Sequence, residues 1–370
     1  MNSNYFLFVN LGKDLPTYLT KNIDWVKRTF GDHKVLVVVD EPINLLKLSN
    51  IGVTVCRYER KKSVSNLLQD LTLDHTFRNG FWQLTIDRLF AICDVVEKLG
   101  LSSVLYIESD VLLLPNFPLT DVWSLKGLAW PRYNHLRDVP ALIHIETPAH
   151  AELMSNELLR LFSSNSDLTD MSALHALAET NKEIVNLLPT IKEGLENGNL
   201  VTRQEFRRAS RIIHSNGDSE GGIFDGASIG MFLTGQDPRN TYGFTMYLNP
   251  ELSLPNESYL NLNQTKFEQE SDRLYIKGPE SKKIEIYNLH IHSKNDEAFF
   301  VSTEKFLANL INRANLGTTY LEFKPRIFLT LLRENYQQGT LIRYCYGLIR
   351  FLFRVIKKGY TLNLVQRDKN

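Results

Sequence analysis

Cysteine is scarce in this sequence: there are three, Cys56, Cys93 and Cys345, an odd number with no paired spacing. Neither a disulfide scaffold nor a zinc cluster is expected from that set, and a reducing compartment suits it. Cys93 falls within an apolar helical pattern, where a small buried hydrophobe is the ordinary reading. Excess charge is lacking too, since Lys plus Arg total 42 and Asp plus Glu total 42. A general nucleic-acid binder would carry a basic surplus, so no nucleic-acid partner is expected. No apolar run reaches the roughly 18 residues that suggest a bilayer-spanning helix. Met1 to Asn4 are polar and lead straight into a strand-like run, so no signal peptide is expected. The sequons at Asn256 and Asn263 are therefore read as chance matches, and the chain as cytoplasmic. Internal repeats and low-complexity tracts are also missing.

What is present suits a large folded core: 43% of residues are hydrophobic and 23% charged. Tyr5 to Asn10 is an apolar run that exits through Asn10-Leu11-Gly12. Leu15, Tyr18, Leu19, Ile23, Val26 and Phe30 then recur at helical spacing. Val35 to Val39, ending at Asp40-Glu41-Pro42, predicts a buried second strand, and Val53 to Cys56 a third. Phe81 to Leu99 predicts a long helix and Val104 to Ile107 another buried strand. Strand and helix alternating in this order predict an α/β domain whose mostly parallel central sheet is flanked by helices. Ligands of such sheets bind beyond the carboxyl ends of the strands. Ala149 to Phe162, Met171 to Thr180 and Thr202 to Ile213 predict a helical insertion beside the sheet, suited to acceptor contacts. Residues 221 to 295 return to glycine-rich loops and short strands.

Four segments carry candidate chemistry. Glu108-Ser109-Asp110 closes the apolar run Ser103 to Ile107, and carboxylates at the end of a buried strand need a partner. Mn²⁺ or Mg²⁺ fits oxygen ligands and can bridge two phosphates. The alternative is a turn in which Ser109 and Asp110 cap the next segment. In Asn288 to Lys294, strand alternation puts His290 and His292 on one face and Leu289 and Ile291 on the other. Imidazole can ligate such a cation and Lys294 can neutralise a phosphate, unless the pair is simply a surface or core histidine pair. Arg88 lies on the stripe Leu84, Arg88, Ile92 and Val95/Val96 that faces the sheet. Buried there, it needs an anion: Asp40, Glu108 or nucleotide phosphates. Asp225, among the glycines of 221–230 and ahead of the helical run Ala227 to Leu233, is either a helix cap or a general base. Arg239, in the loop 235–240 that follows, can hold a phosphate or a sugar acid.

Taken in order, these segments resemble the GT-A class of nucleotide-sugar-dependent glycosyltransferases, of the bacterial envelope or capsule polysaccharide type. Phe81-Trp82 with Arg88-Leu89-Phe90 is similar to the helix before that class's acidic strand. Glu108-Ser109-Asp110 stands where the class carries its Asp-x-Asp motif, with Glu in the first place, a longer side chain. Phe224 to Ala227 with Gly230 and 235–240 is similar to the acceptor-side loop of certain bacterial members, and His290 to Lys294 to their closing metal and diphosphate segment. The resemblance covers residues 5 to 295.

It implies a GT-A-like fold and a metal-dependent, hexosyltransferase-like enzyme. The donor would be a nucleotide diphosphate sugar, a UDP-sugar first, and the acceptor a hydroxyl of a glycan or a lipid-linked molecule. By the same resemblance Asp110 binds the metal directly and Glu108 contacts the metal or the ribose. One histidine completes the coordination, with His292 preferred to His290 because it lies nearer the strand's exit. Lys294 grips the diphosphate, and Asn10 and Asp40 are expected at the nucleoside. Asp225 would take the acceptor's proton. Residues 1–150 would form the nucleotide-sugar-binding half, 151–220 the insertion, 221–300 the acceptor and metal-closing part, and 301–370 a C-terminal helical tail.

Two other readings stay open. A nucleotidyltransferase shares the layout, but it would show a glycine-rich basic loop after the first strand, where Asn10 to Pro16 has one glycine. A non-catalytic, membrane-peripheral binding protein would work through its tail. Arg343, Arg350, Arg354 and Lys357 fall at spacings of seven, four and three, and residues 341–370 hold seven basic residues against one acid, Asp368. Such an amphipathic helix either lies on an anionic membrane surface, at the inner face of the cell membrane, or packs on the domain.

Overall fold

The computed structural model describes residues 4–31, 33–49, 51–196, 221–247, 260–262, 265–279, 282–294, 296–299, 303–315, 320–357 and 361–363. The apolar runs form strands β1 (Tyr5–Asn10), β2 (Lys34–Val39), β3 (Thr54–Arg57) and β4 (Val104–Ile107), mutually parallel in the order β3-β2-β1-β4. β5 (Val111–Leu113) leaves this sheet. β6 (Leu128–Asn134), β7 (Arg137–Asp138), β8 (Leu142–Ile145) and β9 (Val185–Leu188) complete it. β8 runs antiparallel between β4 and β6, β7 runs antiparallel to β6, and β9 runs parallel to β6. The mostly parallel sheet expected from the sequence is the one observed.

Strand periodicity explains why it is covered on both faces. Phe6, Phe8, Val37, Val39, Leu105 and Ile107 enter one core, and Leu7, Val9, Leu36, Val38, Val104 and Tyr106 enter the other. Helix α1 (Thr17–Phe30) lays Leu19, Ile23 and Val26 on the first core, and α2 (Pro42–Ser49) adds Leu48. The second core takes α3 (Lys62–Asp70) and α4 (Phe81–Leu99), the latter buried almost all round between Thr85 and Val96. α5 (Leu119–Ser124) is a short link; α6 (Pro148–Ser164) and α7 (Asp170–Thr180) pack in the same layer as α4. Two of the three helices of the expected insertion are thus part of the sheet's own cover, and β9 joins the sheet itself. The helix expected over 202–213 lies outside the described residues.

The second half of the chain supplies α8 (Ser228–Thr234), β10 (Phe244–Tyr247), the meander β11 (Lys266–Glu270), β12 (Arg273–Lys277) and β13 (Ile284–Ile286), and then β14 (Asn288–His290). α9 (Thr303–Asn315), β15 (Tyr320–Phe323), α10 (Pro325–Gln337), α11 (Leu341–Lys357) and β16 (Thr361–Asn363) follow. β14 reaches back to pair with β5, a two-stranded ribbon at the carboxyl end of β4. No described helix is long and apolar enough to cross a membrane.

Candidate metal centre

β4 is buried along its whole length and releases Glu108 and Asp110 at its carboxyl end. There the chain folds on itself: Val111 N donates to Glu108 O at 2.9 Å, and Glu108 N to Ala141 O at 2.9 Å. β5 then pairs antiparallel with β14, setting His290 opposite Val111, and Ile291 N donates to Asp110 O at 2.7 Å. α1 staples the turn, with Asn22 Nδ2 donating to Ser109 O (3.1 Å) and Val111 O (2.8 Å) and Trp25 Nε1 to Leu113 O (2.8 Å). Ladder pairing therefore brings the acids and the histidine together across most of the chain.

Behind β14 stands α8. Gly230 lies so close that a Cβ would collide with the His290 carbonyl, which only glycine avoids. Asp225 is 2% exposed, and its carboxylate accepts from Ile229 N (3.0 Å), Gly230 N (2.7 Å) and His290 N (2.9 Å). Asn288 closes the brace, its Nδ2 donating to Asp225 O (2.9 Å) while its Oδ1 accepts from Asp225 N (3.1 Å). Burial raises the pKa of Asp225, and the backbone donors work against that rise. Three backbone N–H groups thus bond the carboxylate that the resemblance casts as the acceptor's base, and they tie it to the start of α8 and to β14.

His290 Nδ1 lies 2.9 Å from Gly226 O. A carbonyl only accepts, so Nδ1 is assigned a proton, which leaves Nε2 as the ring atom turned toward the acids. Nε2 lies 3.3 Å from Asp110 Oδ2 and 3.7 Å from Glu108 Oε2. Ligand atoms of Glu108, Asp110 and His290 all lie within 4.8 Å of one another, close enough to meet around one divalent ion. The donor set, two carboxylates and one imidazole, fits a cation of the Mn²⁺ type.

The surrounding charges leave room for such an ion. Arg88 Nη1 lies 2.5 Å from Glu108 Oε1, and Nη2 lies 3.5 Å from Asp170 Oδ2 at the start of α7. The anion required by buried Arg88 is thus Glu108 together with Asp170, not Asp40. The Lys294 ammonium bonds to Asp110. Glu108, Asp110 and Asp170 thus meet Arg88 and Lys294, with the His290 ring beside the first two. Burial would raise the Glu108 pKa, but Arg88, with His290 and Lys294, holds it down to about 2. Burial brings the Lys294 pKa down to about 8.

His292 takes a different place from the one expected. β14 ends at His290 and the chain turns, with His292 N donating to His290 O at 2.9 Å and Lys294 N to Ile291 O at 3.0 Å. Extended alternation stops before it can carry His292 to the acids. Its ring stacks on that of His290 instead, with centroids 4.2 Å apart. Its Nε2 is buried with no hydrogen-bond partner among the described residues, and burial holds its pKa well below the ordinary value.

Asn10 and Asp40 flank the β1–α1 loop at the exits of β1 and β2. Asn10 Nδ2 donates to Asp14 O (3.1 Å), and Asp40 Oδ1 accepts from Gly12 N (2.8 Å). On the other side stands a group of residues that sequence reasoning only half found. Arg239 Nη2 lies 2.7 Å from Asp237 Oδ2, and Arg78 Nη1 lies 3.4 Å from the same oxygen. Two guanidiniums share one carboxylate there. Arg78 has a left-handed φ of 48°, its guanidinium 5.3 Å and 5.6 Å from the ring centres of Phe77 and Phe81. Tyr18 connects this wall to the acids: its ring lies 6.0 Å from Lys294 Nζ, and its hydroxyl pKa, raised by burial, responds to Arg239, Asp237 and Glu108. The aromatic run Phe77 to Trp82 was the only sequence signal for Arg78; Tyr18 looked like one more residue of an apolar stripe.

No family model and no curated protein matches the chain. Among solved structures it is similar to one described as PaToxG glycosyltransferase, at 17% identity over 49% of this chain and 70% of that one, with a TM-score of 0.32. It is also similar to CMP:2-keto-3-deoxy-manno-octonic acid synthetase complexed with CTP, at 10% identity over 50% of this chain and 88% of that one, with a TM-score of 0.29. Neither likeness is close enough to assign a reaction.

Proposed function

We propose that this chain is a metal-dependent glycosyltransferase that moves a sugar from a nucleotide diphosphate donor, a UDP-sugar first, to a hydroxyl of a glycan or lipid-linked acceptor. The observation that carries the proposal is the convergence of His290 Nε2, Asp110 and Glu108 at the carboxyl end of β4. Glu108, Asp110 and His290 would hold Mn²⁺ or Mg²⁺, which when bound supplies Lewis-acid stabilisation of the departing diphosphate. Lys294 is placed to leave Asp110 and pair with a phosphate oxygen, and Arg239 and Arg78 extend the positive wall for the same developing charge. Asn10 and Asp40 stand at the nucleoside side. Asp225 is given a positioning role: by fixing His290 N and the start of α8 it sets the imidazole that Gly226 O orients.

In this proposal residues 1–150 bind the donor, 151–220 add acceptor contacts, 221–300 form the acceptor and metal-closing part, and 301–370 are a C-terminal helical tail. A cytoplasmic location belongs to it as well; Cys56, Cys93 and Cys345 are all free thiols. The β1–α1 loop is tied to the exit of β2 and to α2, by Gly12 N on Asp40 and Asn44 Nδ2 on Gly12 O (3.0 Å), a poor cradle for a triphosphate. A panel of nucleotide sugars, with and without Mn²⁺, tests the proposal. Mn²⁺-dependent release of nucleoside diphosphate from one donor is expected. Pyrophosphate release from a nucleoside triphosphate and a sugar phosphate would replace it with a nucleotidyltransferase.

A further inference from the structure

We infer that the outward stripe of α11 is a docking surface for an anionic lipid bilayer. The helix has two apolar faces. The inner one is engaged: Tyr344 is buried, and Leu348, Phe351 and Leu352 pack against Phe244 and Leu321. Gly347 lets Tyr242 approach so closely that a Cβ would collide with its hydroxyl. This fixes the rotation of the helix, so its outer face cannot turn inward.

That outer face should be polar if it met only water. Instead Ile342 is 87% exposed, Tyr346 62%, Ile349 50% and Phe353 69%, at spacings of four, three and four residues. Arg343 and Arg350 are exposed on the same stripe, the Arg350 guanidinium lying 5.6 Å from the Tyr346 ring centre. From Leu341 to Lys357 there is no acidic residue, while Arg343, Arg350, Arg354 and Lys357 are basic.

Charge selects the occupant. A second copy of this chain meeting the stripe across a two-fold axis would set arginine against arginine. An anionic bilayer supplies what the stripe lacks: an apolar layer for the isoleucines and phenylalanine, an interface for the tyrosine, and phosphates at the level of the basic groups. The docking does not rest on the proposed reaction.

The test uses the full chain and co-sedimentation with vesicles of phosphatidylglycerol and phosphatidylcholine, against pure phosphatidylcholine. Binding to the anionic vesicles should exceed binding to the neutral ones by about tenfold and fall with salt. The double variant Ile342→Ser/Phe353→Ser should lose about tenfold on anionic vesicles, and Ile342→Leu/Phe353→Leu should keep binding, both with an unchanged Tm. Arg343→Gln/Arg350→Gln should remove the preference for anionic lipid. The inference is overturned if the wild-type chain ignores both vesicles, or if the serine variant binds as well as wild type. It is equally overturned if the serine variant merely turns a dimer into a monomer while neither binds lipid.

Discussion

At Asp138 every lone-pair direction is spoken for. Fully buried on β7, it accepts from Trp130 Nε1 (2.8 Å), from Arg132 Nε (2.7 Å) and Nη2 (3.3 Å), and faces His175 Nδ1 at 3.2 Å. Arg132 passes its remaining donors to Glu179 (2.7 Å), which Lys182 meets at 3.3 Å. At Asp110, just beyond the end of β4, ligand atoms of two carboxylates and an imidazole lie within 4.8 Å of one another. Both clusters are buried and ionic. The first is closed by guanidinium and indole donors and reads as architecture, while the second gathers three cation-ligating side chains at a strand end, and that convergence is what marks it as a site. Burial and charge alone would have chosen either.

The sharpest way to break this contrast is to remove one partner from the closed cluster. Arg132→Met leaves Asp138 and Glu179 without their shared guanidinium, and should cost about 3–5 kcal/mol in urea unfolding. A loss below about 1 kcal/mol would mean the network is not structural.

His144 sharpens the comparison from another side, being buried without a hydrogen-bond partner for either ring nitrogen among the described residues. Burial lowers its pKa from 6.5 to about 4, against the opposing pull of Glu146. Its unfolded form therefore takes up a proton as pH falls below 6.5, while the folded form stays neutral until about 4. Stability should fall across that window by roughly 3 kcal/mol and level off below it. His144→Leu should lack this component, read as the difference between the two proteins' urea midpoints at pH 7 and pH 4.5. Parallel pH profiles would show that His144 titrates normally.

The smallest effect on stability belongs to Asp110→Asn. Removing one of three crowded carboxylates should shift unfolding by less than about 1 kcal/mol, in either direction, while ending Mn²⁺-dependent turnover. A large destabilisation would put Asp110 in the same class as Asp138.

The sheet was legible because its strands are continuous apolar runs, and Glu108, Asp110 and the histidine pair because polar groups interrupt such runs at their ends. What escaped depends on how the chain turns. The order of preference between the histidines rested on extended geometry continuing past residue 290, and β14 ends there. The insertion hid β9, whose Val185 to Leu188 is one short apolar stretch among helices. Asp170 carried only the signature of a helix start, behind the Thr169 cap, and nothing local pairs it with Arg88. Asp225 was legible as an acid ahead of a helix, but the bond from His290 N, which ties it to β14, was not. The Arg132–Asp138 pair spans a bulged turn with no motif at all.

Mn²⁺ titration of the nucleotide-free protein, followed by electron paramagnetic resonance, tests the central claim most directly. One tightly bound ion per chain is expected, lost in Asp110→Asn and in His290→Ala, and retained in His292→Phe, whose ring keeps the stack on His290. Binding that survives both of the first two substitutions, or no binding by the wild-type chain, would contradict the assignment of Glu108, Asp110 and His290 as a cation site.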